Sequence, residues 1–87
     1  MKQLNEDVSV KIDIDKGIAL WNEKYPDQKI SRKDVEIHEG LSRGVILNLK
    51  KGKFLNTLTA VFKFLKRTNL KFNDITTVTD GKGQDLL

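Results

Sequence analysis

Residues 31–53, SRKDVEIHEGLSRGVILNLKKGK, constrain the fold of this chain more than any other stretch. Ser31 stands three residues before Asp34, which resembles the capping box at the start of a helix. Gly40 then falls where a helix commonly ends in a left-handed residue. A second apolar-periodic run begins after this glycine and ends at Gly52. The stretch therefore predicts two short helices joined by a tight glycine turn.

The remaining apolar periodicity predicts three further helices around this pair. The first has Asp15 as its N-cap and stops at Pro26, because proline disfavours helix before it. The fourth is opened by Asn56 or Thr57, and the segment LKFNDI forms a short fifth helix. Helical spacing predicts the core face of the fourth helix: Leu58, Val61, Phe62 and Leu65. The predicted fold class is therefore all-α, with five helices.

The two ends of the chain are expected to lie outside this helical domain. Residues 8–14, VSVKIDI, alternate apolar and polar side chains, as a strand does. This segment is either a strand, which would need a partner such as the same segment of another chain, or an extended arm. The C-terminal TTVTDGKGQDLL is polar and contains glycine, which is typical of a flexible tail. The predicted boundaries are 1–13 for the arm, 14–76 for the domain and 77–87 for the tail.

Charge is distributed unevenly along the 87 residues. Residues 41–75 carry eight Lys or Arg against one Asp or Glu, although the whole chain has a net charge of only +4. Such a concentrated positive field favours a polyanionic partner. The chain has no cysteine, and no apolar run approaches the roughly 18 residues that span a bilayer. Because the N-terminus also lacks an apolar signal segment, we expect a cytoplasmic protein without membrane contact.

The central stretch resembles the helix-turn-helix of the phage repressor/Cro family, the XRE-type regulators. The residues that carry the resemblance are Gly40, Leu41, Ser42, Ile46, Leu49 and Gly52. FLNTLTAVFKFLKRTNLKFNDI resembles the family's fourth helix and closing segment, so the resemblance spans about residues 14–76. It implies a lambda-repressor-like domain that binds double-stranded DNA as a homodimer. The expected role is a transcription regulator of a bacterium or a mobile element, with a recognition helix at about residues 42–51 in the major groove.

The resemblance also implies which side chains would meet DNA. Base contacts fall on Arg43, Gly44, Val45, Leu47 and Asn48. Among these, Arg43 can bind guanine and Asn48 adenine, each with two hydrogen bonds, whereas Gly44 has no side chain to read a base. Val45 or Leu47 could touch a thymine methyl group, and Leu47 could equally be a dimer contact or an exposed leucine without a role. Phosphate contacts fall on Arg32, Ser42, Lys51 and Lys53.

Two acidic residues depart from the family pattern. Glu36 stands where the family usually has alanine, and Glu39 stands where it usually has an apolar residue. Either Glu36 points sideways, or the two helices are splayed compared with the family. Both glutamates and Gly44 would also fit the alternative function, a protein-interaction module of the same fold, such as an antitoxin-like protein. With the single His38 and no catalytic motif, the sequence predicts no enzyme, metal or cofactor.

Overall fold

The computed structural model describes residues 8–54 and 56–87. The residues 1–7 of the predicted arm therefore lie outside the described part of the chain. The described elements, in chain order, are β1 Val8–Ile12, α1 Ile14–Lys24, α2 Arg32–Glu39, α3 Arg43–Lys50, α4 Leu58–Thr68, α5 Phe72–Ile75 and β2 Thr76–Asp80. None of the described helices combines the length and the apolar character needed to cross a bilayer.

The prediction of an all-α fold is wrong, because the described residues form a two-stranded sheet in addition to five helices. β1 pairs antiparallel with β2, so that Val8 lies opposite Asp80 and Ile12 lies opposite Thr76. Both strands are rich in β-branched residues, which favour extended backbone: β1 has two valines and an isoleucine, and β2 has three threonines and a valine. The strand character of residues 8–12 is confirmed, and its partner is a segment of the same chain rather than of a second copy.

The segment expected to be a flexible tail, 77–87, begins within strand β2 and then folds back on it. Beyond β2 the chain turns, and the Asp80 carboxylate accepts hydrogen bonds from the backbone N–H groups of Lys82 and Gln84, both at 2.8 Å. The backbone N–H of Leu86 then donates to the carbonyl of Val78 at 2.7 Å. Residues Thr76–Asp80 thus form a strand where a loose tail was expected, because β-branched threonine suits extended backbone and β1 is present to pair with it.

Local capping signals fix the helix ends. α1 begins at Ile14, and its N-cap is Asp13, whose carboxylate accepts from the backbone N–H of Lys16 at 3.0 Å. Asp15 is therefore not the N-cap, and its side chain is available for other partners. The capping box of Ser31 and Asp34 is confirmed at the start of α2. Gly40 ends α2 in the left-handed region with φ of +74°, as its position predicted.

One hydrophobic core lies between the helices and the inner face of the sheet. Gly17 of α1 lets the Phe64 ring approach so closely that a Cβ at this position would lie 2.6 Å from the ring. Phe64 is accordingly buried, together with Val61 and Leu65. The predicted core face of α4 was therefore half wrong, since Leu58 and Phe62 are exposed. The remaining buried apolar residues are Ile12, Ile14, Val35, Leu41, Ile46, Leu49 and Ile75.

Candidate nucleic-acid interface

α2 and α3 are consecutive helices joined by the turn at residues 40–42. The N–H of Gly40 closes the end of α2 by donating to the carbonyl of Glu36 at 2.9 Å. The next side chain, Leu41, is fully buried and anchors the turn in the core. Ser42 then caps α3, and its hydroxyl accepts from the N–H of Val45 at 3.4 Å. The turn thus holds the first residues of α3 at the protein surface.

The two sides of α3 differ in burial, and this difference sorts the predicted base-reading residues. Ile46 and Leu49 are buried and fix the inner side. The predicted readers Arg43, Gly44 and Leu47 are exposed. Asn48 is half-buried at the edge of the exposed side, whereas Val45 packs partly against the core. The structure therefore brings four of the five predicted base contacts to one accessible surface and turns Val45 partly away from it.

The chain after α3 places Lys51 and Lys53 at the surface. Their backbone N–H groups both donate to the carbonyl of Asn48, at 3.0 and 2.8 Å, and both side chains are exposed. Gly52 between them has φ of +83°, and a Cβ there would lie 3.0 Å from the carbonyl oxygen of Val10 in β1. Because strand β1 lies against this turn, the sheet supports the end of α3 and the two lysines beside it.

The fourth predicted phosphate contact, Arg32, forms an ion pair with another residue of the same chain. Its Nε and Nη2 donate to the two carboxylate oxygens of Asp15 at 2.8 and 2.5 Å. The Nζ of Lys50 lies 2.5 Å from the same carboxylate and 3.9 Å from that of Asp13. We call these four residues, Asp13, Asp15, Arg32 and Lys50, the Asp15 cluster. It joins α1 to the start of α2 and the end of α3.

The electrostatics of the Asp15 cluster confirm that its charges are tightly paired. The hydrogen bond from Arg32 is the main cause that lowers the pKa of Asp15 far below its usual range. Partial burial of the carboxyl opposes this shift, and the hydrogen bond from Lys50 adds to it. The same pairing raises the pKa of Arg32 above its usual value. Asp15 is therefore ionised at neutral pH.

The two acidic residues of α2 have opposite surroundings. Glu36 is exposed and points into solvent, so it does not enter the packing between helices. The Glu39 side chain is only 3% exposed, and it accepts three hydrogen bonds from Arg67 of α4 at 2.8 to 3.1 Å. Glu39 can thus occupy a buried position that the family usually fills with an apolar residue, because Arg67 neutralises its charge.

Sequence reasoning missed the two cations that complete these ion pairs. Lys50 lies 35 residues from Asp15 in the chain, and Arg67 lies 28 residues from Glu39. No local pattern links residues so far apart. The one available signal was the apolar position occupied by Glu39, because a buried carboxylate requires a cation nearby.

Three exposed cations surround the accessible side of α3. Arg43, Lys51 and Lys53 form no ion pair with any residue of the described ranges, unlike Arg32, Lys50 and Arg67. Their charge is therefore not offset by a neighbouring carboxylate there, and it can attract an anionic ligand. Comparisons of this chain with protein-family models, with curated proteins and with solved structures found no match.

Proposed function

We propose that this protein binds double-stranded DNA sequence-specifically by inserting α3 into the major groove. The observation that carries the proposal is the exposed side of α3 with its two flanking residues, 42–51. Arg43, Lys51 and Lys53 at this surface form no ion pair with any described residue. A helix held by a preceding helix and a tight turn can enter the groove with its N-terminal end first. The proposed role is a transcription regulator of repressor/Cro type, acting in the cytoplasm of a bacterium or on behalf of a mobile element.

Base reading rests on the first two turns of α3. Arg43, at the first position of the helix, is exposed and long enough to reach the O6 and N7 atoms of guanine. Asn48 lies one to two turns later and offers the donor and acceptor pair that matches adenine. Leu47 lies between them and supplies an apolar contact for a thymine methyl group. Gly44 leaves room for the DNA backbone or a base edge to approach.

Phosphate binding rests on the two ends of the same helix. Ser42 and the first N–H groups of α3 suit a phosphate oxygen, because a helix N-terminus carries partial positive charge. Lys51 and Lys53 follow the last turn, where exposed side chains can reach the next phosphates along the groove. These contacts fix the register of the protein on DNA and do not themselves select a sequence.

The proposed binding unit is a homodimer, whose two α3 helices would meet half-sites about one DNA turn apart. Because β1 is paired within its own chain, a surface of α4 and α5 is the better candidate for the contact. Phe62 of α4 is exposed and stacks on Phe72 of α5, with ring centroids 5.5 Å apart, and Leu58 is exposed one turn earlier. Aromatic rings contribute strongly to interfaces when a second copy covers them. Sedimentation equilibrium of the protein and of Phe62→Ser tests this surface, since the variant should be monomeric.

The function is tested by selecting duplexes from a random library and measuring their binding at two salt concentrations. We expect Arg43→Ala to weaken discrimination between selected and random duplexes by about 1–3 kcal/mol. Lys51→Ala should weaken binding to all duplexes alike and reduce the salt slope by about one unit. Lys66→Ala, which removes an exposed lysine of α4, is the matched control and should leave both quantities unchanged. Duplex binding that ignores all three substitutions would contradict the assignment of α3.

The second candidate is a protein-interaction module of the same fold. It is favoured by α2, where Ile37 is 68% exposed beside the exposed Glu36. Contact surfaces are contiguous apolar patches, so a partner protein would have to cover Ile37 together with the neighbouring surface of α2. In that case the protein would show no salt-dependent duplex binding, would tolerate Arg43→Ala and Lys51→Ala, and would co-purify with a partner protein that Ile37→Ser releases.

A further inference from the structure

We propose that the Asp15 cluster is a phosphate-binding position filled by the protein's own carboxylate, and that Asp15 thereby limits the affinity for DNA of any sequence. The inference rests on the proposed function and explains why Arg32 is not among its phosphate contacts. Arg32, which the family resemblance places on a phosphate, would not contribute to duplex binding while Asp15 holds it.

The first argument is the geometry of the cluster. Arg32 is the first residue of α2 and Lys50 is the last residue of α3, so the cluster lies where these two helix ends meet α1. Asp15 of α1 receives both, with oxygen-to-nitrogen distances of 2.5 Å to Arg32 Nη2 and 2.5 Å to Lys50 Nζ. A carboxylate that accepts two hydrogen bonds from a guanidinium occupies the same fork that would grip two phosphate oxygens.

The second argument is the charge of the cluster. Two cations, Arg32 and Lys50, face two carboxylates, Asp13 and Asp15, so the cluster is neutral as a whole. The salt dependence of DNA binding arises when protein cations replace the counterions of phosphates. A neutral cluster has no net positive charge to offer for this exchange. Beside α3, the proposed DNA contacts of positive charge are then Arg43, Lys51 and Lys53, which have no counter-charge among the described residues.

The third argument is solvent access, which separates this cluster from the second ion pair of the protein. The side chains of Arg32 and Asp15 are 42% and 28% exposed, so an incoming phosphate can reach the guanidinium. In the second pair Arg67 is 32% exposed, but the Glu39 side chain is only 3% exposed, so an external anion could replace this carboxylate only by opening the contact between α2 and α4. Solvent access makes the Asp15 cluster exchangeable and leaves the Glu39 pair purely structural.

Removal of the Asp15 charge on the full chain tests the inference. We expect Asp15→Asn to free Arg32 and Lys50, to tighten binding to a random 20-base-pair duplex several-fold at moderate salt, and to steepen its salt slope. The slope should gain about 0.9 for each phosphate newly contacted, and so one to two units in all. Asp27→Asn is the matched control: it removes the same charge from an exposed turn outside the cluster and should leave the slope unchanged.

A second variant keeps the inference falsifiable if Asp15→Asn disturbs folding, which circular dichroism would reveal. If Asp15 already holds Arg32, Arg32→Gln should leave the salt slope of the otherwise unchanged protein intact. A loss of about 0.9 in that slope would mean that Arg32 already contacts a phosphate, and it would overturn the inference. In the pair Asp15→Asn with Arg32→Gln, about one unit of the gained slope should disappear again.

These outcomes separate the inference from the proposed function. If the unchanged protein binds duplex DNA and Lys51→Ala lowers its slope, the function stands. In that situation, an Asp15→Asn slope equal to that of Asp27→Asn rejects the inference alone. If the unchanged protein shows no salt-dependent binding to selected duplexes, the proposed function fails, and the inference fails with it.

Discussion

The two ends of α2 are held by the same chemistry in different surroundings. At its first residue, Arg32 pairs with Asp15, and both side chains are partly exposed. At its last residue, Glu39 pairs with Arg67, and the glutamate is buried. Each pair joins α2 to another helix through a guanidinium and a carboxylate. The contribution of an ion pair to stability thus depends on how deeply its charges are buried.

Desolvation explains the difference. A carboxylate buried without a partner costs several kcal/mol, so Glu39 needs Arg67 once the fold has closed over it. Water and dissolved salt already stabilise the charges of a partly exposed pair, which is typically worth no more than about 1 kcal/mol. The C-terminal end of α2 is therefore locked to α4. The N-terminal end is held by an interaction that another anion can replace.

The largest effect is expected from breaking the buried pair. Arg67→Ala would leave the Glu39 carboxylate buried without its cation and should lower the free energy of unfolding by about 3–5 kcal/mol. Urea denaturation followed by circular dichroism measures this change. Lys66→Ala, one residue away on the exposed side of α4, is the control and should change stability by less than about 0.5 kcal/mol. A comparable loss in both variants would show that burial of Glu39 does not matter.

A smaller effect is expected from the exposed pair. Asp15→Asn should lower the free energy of unfolding by about 1 kcal/mol at neutral pH. Because the pKa of Asp15 is lowered in the folded protein, its contribution is complete above the ordinary carboxyl pKa of about 3.9 and is lost as the pH falls towards the folded pKa. The gap between the two proteins should thus be constant above about pH 5 and shrink below about pH 4. Denaturation of both proteins above about pH 5 and below about pH 4 measures this difference in stability. A difference that grows at low pH would contradict the prediction.

The smallest net effect is expected when the buried pair is replaced as a whole. Glu39→Leu combined with Arg67→Met removes both charges and fills the same space with apolar atoms. Buried ion pairs replaced in this manner are often neutral or stabilising, so we expect a free energy of unfolding within about 1 kcal/mol of the original, or above it. The informative result is the comparison with Arg67→Ala: the double variant should be much more stable, although it lacks the same arginine. A double variant as unstable as Arg67→Ala would place the stabilisation in packing rather than in charge.

Elements whose signals are local could be predicted from the sequence. The capping box of Ser31 and Asp34 and the left-handed Gly40 lie within a few residues of the ends they fix. The exposure of Arg43 follows from the apolar spacing of Ile46 and Leu49 along one short helix. Interactions within a single turn depend only on neighbouring residues. This part of the candidate site could therefore be predicted from the sequence.

Elements that depend on distant partners could not be predicted in this way. β2 forms because β1 is available to pair with it, and although threonine favours extended backbone, nothing in the local sequence identified β1 as its partner. The core face of α4 turns towards Phe64 because Gly17, on another helix, makes room for that ring. The family resemblance implied a phosphate contact for Arg32, and Asp15 was predicted to be an N-cap, so nothing in the sequence linked these two side chains before the three-dimensional contact showed their pairing.

The pairing of β1 with β2 also has a consequence for the order in which the protein is made. β1 leaves the ribosome before every described helix, and its pairing segment Thr76–Asp80 emerges after all of them. During translation the helices can gather their neighbouring contacts early, while β1 keeps unpaired hydrogen-bonding groups that favour association with other chains. Nascent chains of this protein are thus expected to be most vulnerable to aggregation immediately before the last strand appears.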